Sequence, residues 1–358
     1  MADFHKLNIN DVTRETADCV SFAFSIPENL RDTYSFIQGQ YITLKLVING
    51  EELRRCYSVC TSPNDGELRV AAKKVKDGRA STWLNEELKV GDELEVMPPM
   101  GNFYSDMNSV NQKTYVLFAG GSGITPILSI LKTVLQDEAK SKIILFYGNL
   151  NESATIFRKQ LNAIEEKNAD RLTIYYILDH PENEVPAIVK GVLSSEKTKA
   201  LMDEYVDLTG DNEYFLCGPP GMKDGVLLTL EEVVSDKDRI HVEVFTIDEE
   251  GGQKNDKEDG ASSFAGNCSA LIVMDGDDYE VDIKEGQVVL QAALDAGIDA
   301  PFSCRGGMCM TCRAKLTDGS VNMDKNYALT DTEVEEGYIL TCQAHPTTEK
   351  IGVDYDAY

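Results

Sequence analysis

The sequence predicts a multidomain chain: an antiparallel barrel or sandwich first, then a parallel α/β sheet, then a small C-terminal domain. Three observations carry that prediction. Short β-branched runs separated by turns fill residues 1–105. From 114 onward, apolar runs alternate with stretches of helical spacing, the mark of a parallel sheet flanked by helices. Beyond a polar, glycine-rich segment, the stretch "CRGGMCMTC" at 304–312 sets three cysteines in one short loop. A chain of 358 residues has room for two or three domains.

In the first unit, "YITLKLV" (41–47), "ELRVAAKKV" (67–75) and "ELEVMPP" (93–99) read as strands broken by "SPNDGE" and "VGD" turns. In the second, "TYVLFAG" (114–120) runs into glycines and then "ITPILSILKTVLQ". There Ile127, Ile130, Leu131, Val134 and Leu135 recur at helical spacing, and Pro126 suits a first turn. "SKIILFYGN" (141–149), "RLTIYYIL" (171–178) and "NEYFLCG" (212–218) read as further buried strands. The segment 248–266 has almost nothing to bury and reads as a linker. After it, "SALIVM", a "DGDD" turn and "YEVDI" make a hairpin signal, followed by a helical stretch at 288–297.

The cluster has the spacing C-x4-C-x2-C in Cys304, Cys309 and Cys312, with Cys342 some thirty residues on in "ILTCQAHP". Four thiolates so spaced match the plant-type [2Fe–2S] arrangement. Gly306 and Gly307 allow the backbone to close around a cluster and point N–H groups at its sulfurs. A structural zinc site is the alternative, although zinc sites more often show two short cysteine pairs. His345 would suit a Rieske-type site only with a second histidine, which this region lacks.

The loop "FAGGSGITP" (118–126) lies between strand and helix, where backbone N–H groups and a helix dipole favour a phosphate. "CGPPGM" (217–222) puts Cys217 at a strand's carboxyl end, the rim where α/β sheets bind ligands, or is simply a Pro-Gly turn. In "RRCYSVCTSP" (54–63), Arg55 offers a guanidinium for a pyrophosphate, Tyr57 a flat ring and Ser58 a hydroxyl. Arg55 and Tyr57 share a face if this is a strand, and an ordinary half-exposed strand would read the same way.

Taken in order, "RxYS", "GxxS", "GGSGITP", "YGN", "CGPPGM" and the four cysteines resemble the ferredoxin–NADP reductase superfamily with a C-terminal plant-type ferredoxin domain. The resemblance covers nearly the whole chain. It implies a FAD-binding β-barrel over 1–108, an NAD(P)-binding α/β domain over 109–247, a linker at 248–264 and a β-grasp ferredoxin domain over 265–358. Arg55 would meet the FAD phosphates, Tyr57 the isoalloxazine and Ser58 the flavin N5, with Gly78 and Ser81 at the pyrophosphate turn. Gly120, Gly121, Gly123, Thr125 and Pro126 would form the nucleotide loop. Cys217, Gly218 and Pro219 would face the nicotinamide, and Glu243 and Phe245, counted among the cofactor-binding residues, match the segment that closes that domain. Ser58 and Cys217 are the residues placed nearest the chemistry. Cys304, Cys309, Cys312 and Cys342 would be the cluster ligands.

The resemblance further implies electron transfer from NAD(P)H through FAD and the cluster to a multi-component di-iron oxygenase acting on phenylacetyl-CoA. An NADH-dependent reductase of a Rieske or steroid hydroxylase, or a redox sensor, are the other readings. Relatives often carry arginine after "YGN" where this chain has Leu150. Ser153, Arg158 or Lys159 would then have to meet a 2′-phosphate, and NADPH is placed only slightly before NADH.

A formal net charge of −27 argues against nucleic-acid and anionic-membrane partners. No apolar run approaches the roughly 20 residues of a membrane helix, and the first ten residues are polar. These features point to the cytoplasm. There, nine cysteines are more readily metal ligands or thiols than disulfides, leaving Cys19, Cys56, Cys60 and Cys268 as plain thiols.

Overall fold

The computed structural model describes residues 4–245 and 266–357. Six strands, β1 His5–Thr16, β2 Cys19–Ser25, β3 Tyr41–Ile48, β4 Glu51–Ser58, β5 Leu68–Lys73 and β6 Glu93–Val96, form the first sheet. Their order is β4-β3-β6-β1-β2-β5. The two edges meet where Val59 bridges Val70, and the Cys60 N–H donates to the Arg69 carbonyl at 2.9 Å. That contact closes the sheet, which makes this unit a barrel rather than a sandwich. Leu7, Phe22, Ile42, Leu44, Val70 and Val96 are fully buried inside it. Helix α1, Arg79–Glu86, seals one side through Leu84. Trp83 packs on this barrel core.

The second sheet holds β7 Thr114–Gly120, β8 Lys142–Asn149, β9 Leu172–Leu178, β10 Asn212–Cys217 and β11 Ile240–Glu243. All are parallel, in the order β11-β10-β7-β8-β9. Helices α2 Ile124–Asp137, α3 Arg158–Lys167, α4 Ser195–Tyr205 and α5 Pro220–Val233 connect them. Val116, Leu117 and Phe118 are all fully buried, which is why this strand reads as an unbroken apolar run. The strand order reverses between β7 and β10, so their exit loops leave in different directions and open a crevice.

The third sheet takes β12 Cys268–Met274, β13 Asp277–Ile283, β14 Arg313–Asp318, β16 Tyr338–Leu340 and β18 Lys350–Asp354 in the order β13-β12-β18-β14-β16. Only β12 and β18 pair in parallel. Helix α6, Val289–Asp295, packs on it, giving the expected β-grasp; a ribbon of β15 Val321–Met323 and β17 Ala344–Pro346 stands beside it, with α7 Asp331–Glu335. The cysteine loop runs from beyond α6 into β14. The expected linker at 248–264 lies outside the described residues. Among those residues, no helix is long and apolar enough to cross a membrane.

Candidate functional site

Strand β4 sets the first part of the site. Arg55, Tyr57 and Ser58 line an open groove of about 870 Å³ together with Lys73, Gly78, Arg79, Ser81, Ser122, Thr125 and Phe245. The groove therefore joins the barrel, the nucleotide loop and the end of β11. Helix α1 opens onto it at Gly78, and no side chain caps its first turn. Its leading N–H groups and positive dipole end are therefore disposed toward an anionic ligand beside Arg55. Ser81 Oγ accepts from Val75 N–H and donates to the Gly78 carbonyl, both at 3.2 Å, which shapes the turn. The lining, a guanidinium, an uncapped helix end, an aromatic ring and a hydroxyl, has the groups that a phosphate-bearing flavin would need.

The glycines of the nucleotide loop answer to backbone crowding. A Cβ on Gly123 would lie 2.2 Å from the Cys217 carbonyl oxygen, and one on Gly120 would lie 2.7 Å from Pro219 Cδ. The two loops at the switch point thus pack against each other, bringing Gly120 and Gly123 against Cys217, Gly218 and Pro219. Thr125 Oγ1 donates to the Ser122 carbonyl at 3.1 Å, and Thr125 and Pro126 are buried in the first turn of α2.

Cys217 and Glu243 are register partners on adjacent strands. Burial, then the neighbouring Glu243 charge, pushes the Cys217 thiol well up. Burial in the crevice raises Glu243 to about 8, only partly offset by the Val244 N–H, which donates to its carboxylate at 3.1 Å. Glu243 therefore carries a proton at neutral pH, and Cys217 stays a thiol. Phe245 stands where the groove passes toward the cysteine loop, since a second groove shares Arg55, Cys56, Ser58 and Phe245 and adds Glu243, Cys304, Met308 and Cys309.

The cysteine loop carries the third part. Cys309, Cys312 and Cys342 are buried and Cys304 is partly exposed. Gly306 and Met308 N–H groups both donate to Cys304 Sγ at 3.4 Å, and Gln343 Nε2 lies 3.7 Å from Cys342 Sγ. Gly307, at φ +74°, packs so tightly that a Cβ would lie 2.7 Å from the Lys325 carbonyl oxygen. The Thr341 N–H donates to the Cys312 carbonyl at 3.1 Å and so ties the third ligand to the strand leading into the fourth.

The thiols act on one another as two pairs, Cys304 with Cys309 and Cys312 with Cys342. A hydrogen bond with Cys309, then burial, pushes Cys304 up; Cys312 is raised by its bond to Cys342 and by burial. Cys312 in turn holds Cys342 down. Among the described residues, no three metal-ligating side chains converge as one ion requires. Two pairs of soft ligands suit a pair of irons, two thiolates each, better than one tetrahedral zinc. His345 hydrogen-bonds Asp324 at 3.0 Å and belongs to the side ribbon.

Sequence reasoning misses Tyr41, Arg54 and Ser303, which touch this site across domains, and sets Cys56 aside as a plain thiol. Nothing local marks them. Of the candidates for a 2′-phosphate, Ser153 donates to Glu182 at 2.6 Å, Arg158 lies over the Tyr176 ring at 5.4 Å, and Leu150 is exposed.

A groove suited to FAD, a nucleotide crevice and a four-cysteine loop in one chain define a flavin- and iron–sulfur-dependent oxidoreductase. Family models agree: an oxidoreductase FAD-binding domain matches residues 6–104, an oxidoreductase NAD-binding domain 117–227, and a 2Fe-2S iron-sulfur cluster binding domain 272–347. Along its whole length the chain is 36% identical to one component of the 1,2-phenylacetyl-CoA epoxidase of Escherichia coli, covering 99% of that protein. It is also 33% identical to the ferredoxin reductase component of a 3-ketosteroid-9-alpha-monooxygenase from Rhodococcus rhodochrous, over 98% of this chain and 96% of that one. Among solved structures, phthalate dioxygenase reductase shares the fold at a TM-score of 0.58 and 22% identity, with 98% of each chain covered. The chain belongs to the family of modular FAD, NAD(P) and [2Fe–2S] reductases that includes these proteins. It is an NAD(P)H-dependent flavin and iron–sulfur oxidoreductase whose cofactors are FAD, a [2Fe–2S] cluster and a pyridine nucleotide.

Proposed function

We propose that the chain is the reductase component of a multi-component di-iron oxygenase acting on phenylacetyl-CoA. The observation that carries this is 36% identity over the full chain with the epoxidase component of Escherichia coli. The residue roles are part of the same proposal. Arg55 and the 78–81 turn hold the FAD phosphates, Tyr57 stacks on the ring system and Ser58 approaches N5. The 120–123 loop, Thr125 and Pro126 seat the nucleotide. Cys217, Gly218, Pro219 and Glu243 bound the nicotinamide, with Phe245 at the flavin. Cys304 and Cys309, and Cys312 and Cys342, hold one iron each. The units divide at 1–108, 109–247 and 265–358, joined by 248–264, and the protein works in the cytoplasm.

The chemistry FAD supplies when bound is the exchange of a hydride's electron pair for single electrons, which reconciles a two-electron donor with a one-electron cluster. The protein's part is to orient: Cys217 and Glu243 are both uncharged at neutral pH, which suits them to line a nicotinamide pocket. NADPH is preferred slightly to NADH, with Ser153, Arg158 or Lys159 to meet the 2′-phosphate. The strongly acidic chain suits a basic acceptor surface, so high salt should slow electron delivery.

A second reading, reductase of a steroid or Rieske hydroxylase, draws on the 33% identity to the Rhodococcus component. The deciding experiment mixes holoprotein with purified epoxidase oxygenase, phenylacetyl-CoA and NADPH. Substrate-dependent nucleotide oxidation with epoxide formation is expected. Oxidation no faster than without oxygenase, alongside brisk reduction of a 3-ketosteroid hydroxylase, would favour the second reading.

A further inference from the structure

The barrel strand that lines the flavin groove also grips the cysteine loop. Cys56 sits between Arg55 and Tyr57 on β4 and lines both the flavin groove and the adjoining groove that holds Cys304 and Cys309. Its Sγ lies 3.0 Å from Ser303 Oγ, the residue directly before the first cluster cysteine, and 3.5 Å from Thr43 Oγ1. Its side chain and that of Cys309 line the same groove.

Two neighbours hold the same loop. The buried Tyr41 hydroxyl accepts from the Met310 N–H at 2.9 Å. Arg54, only 8% exposed, has its guanidinium 4.2 Å from the centre of the Phe302 ring, near Asp299 at 3.7 Å and bonded to Glu52 at 2.8 Å. A charge so deeply placed persists only with partners, and here two of those partners, Asp299 and Phe302, come from the C-terminal domain. Thr311 Oγ1 reaches Met100 Sδ at 3.5 Å, extending the contact beyond β4. These contacts run from 299 to 311, so the barrel holds the loop itself and not a remote part of the domain.

The chemistry of the Cys56 contact follows from ligation. Once Cys309 binds iron as a thiolate it can only accept, so the Cys56 thiol across the shared groove is a hydrogen donor placed to serve it. A hydrogen bond to a ligand sulfur stabilises the added electron and raises a cluster's potential. We propose that Tyr41, Arg54 and Cys56 are positioning residues for internal electron transfer: they seat the cysteine loop beside the flavin groove, and Cys56 donates to Cys309. This rests on the reductase reading but not on the identity of the acceptor.

The test uses the reconstituted holoprotein and three variants, Cys56→Ala, Cys56→Ser and Arg54→Met. Two quantities are read: the cluster's potential with its electron paramagnetic resonance spectrum, and the rate of cluster bleaching after anaerobic reduction by NADPH. Cys56→Ala should shift the potential downward, alter the spectrum and slow bleaching about ten-fold, as expected for a displaced reacting pair. Cys56→Ser keeps a donor and should restore most of both. Arg54→Met should slow bleaching while leaving the potential in place. Parental potential, spectrum and rate in Cys56→Ala would overturn the Cys56 assignment, and parental bleaching in Arg54→Met would overturn the seating. Should Cys56→Ala fail to load its cluster, Cys56→Ser and Arg54→Met still decide: a lowered potential in the serine variant or an unslowed Arg54→Met counts against the inference. No readout involves an external acceptor, so a mistaken oxygenase leaves this inference standing.

Discussion

The cysteine loop and the flavin groove solve the same problem, holding a redox group, in opposite ways. The loop draws three of its four ligands from nine consecutive residues and shapes itself with local hydrogen bonds to Cys304. The groove borrows from β4, β5, α1, the nucleotide loop and Phe245, so its parts lie far apart in sequence. Damage to the loop should therefore be local and complete, whereas damage to the groove or crevice should be graded.

The largest effect is expected from replacing a cluster ligand. Cys312→Ala should abolish iron binding, seen as loss of the cluster's visible absorption and of protein-bound iron. Retention of a full complement of iron would return the metal assignment to question. Next comes Gly123→Ala, whose new methyl meets the Cys217 carbonyl at 2.2 Å. Overpacking against backbone should cost about 1–3 kcal/mol of stability and raise the KM for nucleotide. Parental melting temperature and KM would show that the two loops separate easily.

A smaller, selective effect is expected at Arg158. Arg158→Ala should raise the KM for NADPH about ten-fold while altering that for NADH little, the loss of one charge-assisted contact. Equal changes for both nucleotides would remove Arg158 from phosphate recognition.

The remaining prediction concerns pH. Glu243 is raised from 4.5 to about 8, so the folded protein holds a proton that the unfolded chain releases. Its contribution to stability is full below pH 4.5 and is lost as pH rises through 8. Glu243→Gln should flatten the fall in melting temperature across that window. An unchanged slope would place the titration elsewhere.

What the sequence makes legible follows the same division. Strand β7 matches its expected bounds, 114–120, because a strand buried on both faces carries an unbroken apolar signal. The long strands β1 and β2 are not legible in the same way. The run "HKLNINDVTRET" is polar along its exposed face and passes two register shifts, which break the alternation. Helix α1, only eight residues long, shows in the sequence as no more than a "GRAS" turn.

Sequence alone pointed to the chemistry. Three cysteines within nine residues, a glycine loop between strand and helix, and "RCYS" point to the groups to be bound, because each is a pattern of residues close together in the chain. Tertiary structure alone decided how those groups meet. The closure of β4 on β5, the crowding of Gly123 against Cys217, the raised proton affinity of Glu243 and the hold of Arg54, Cys56 and Tyr41 on the cysteine loop all arise between distant segments. Burial and proximity are properties of the packed chain, and no local pattern encodes them.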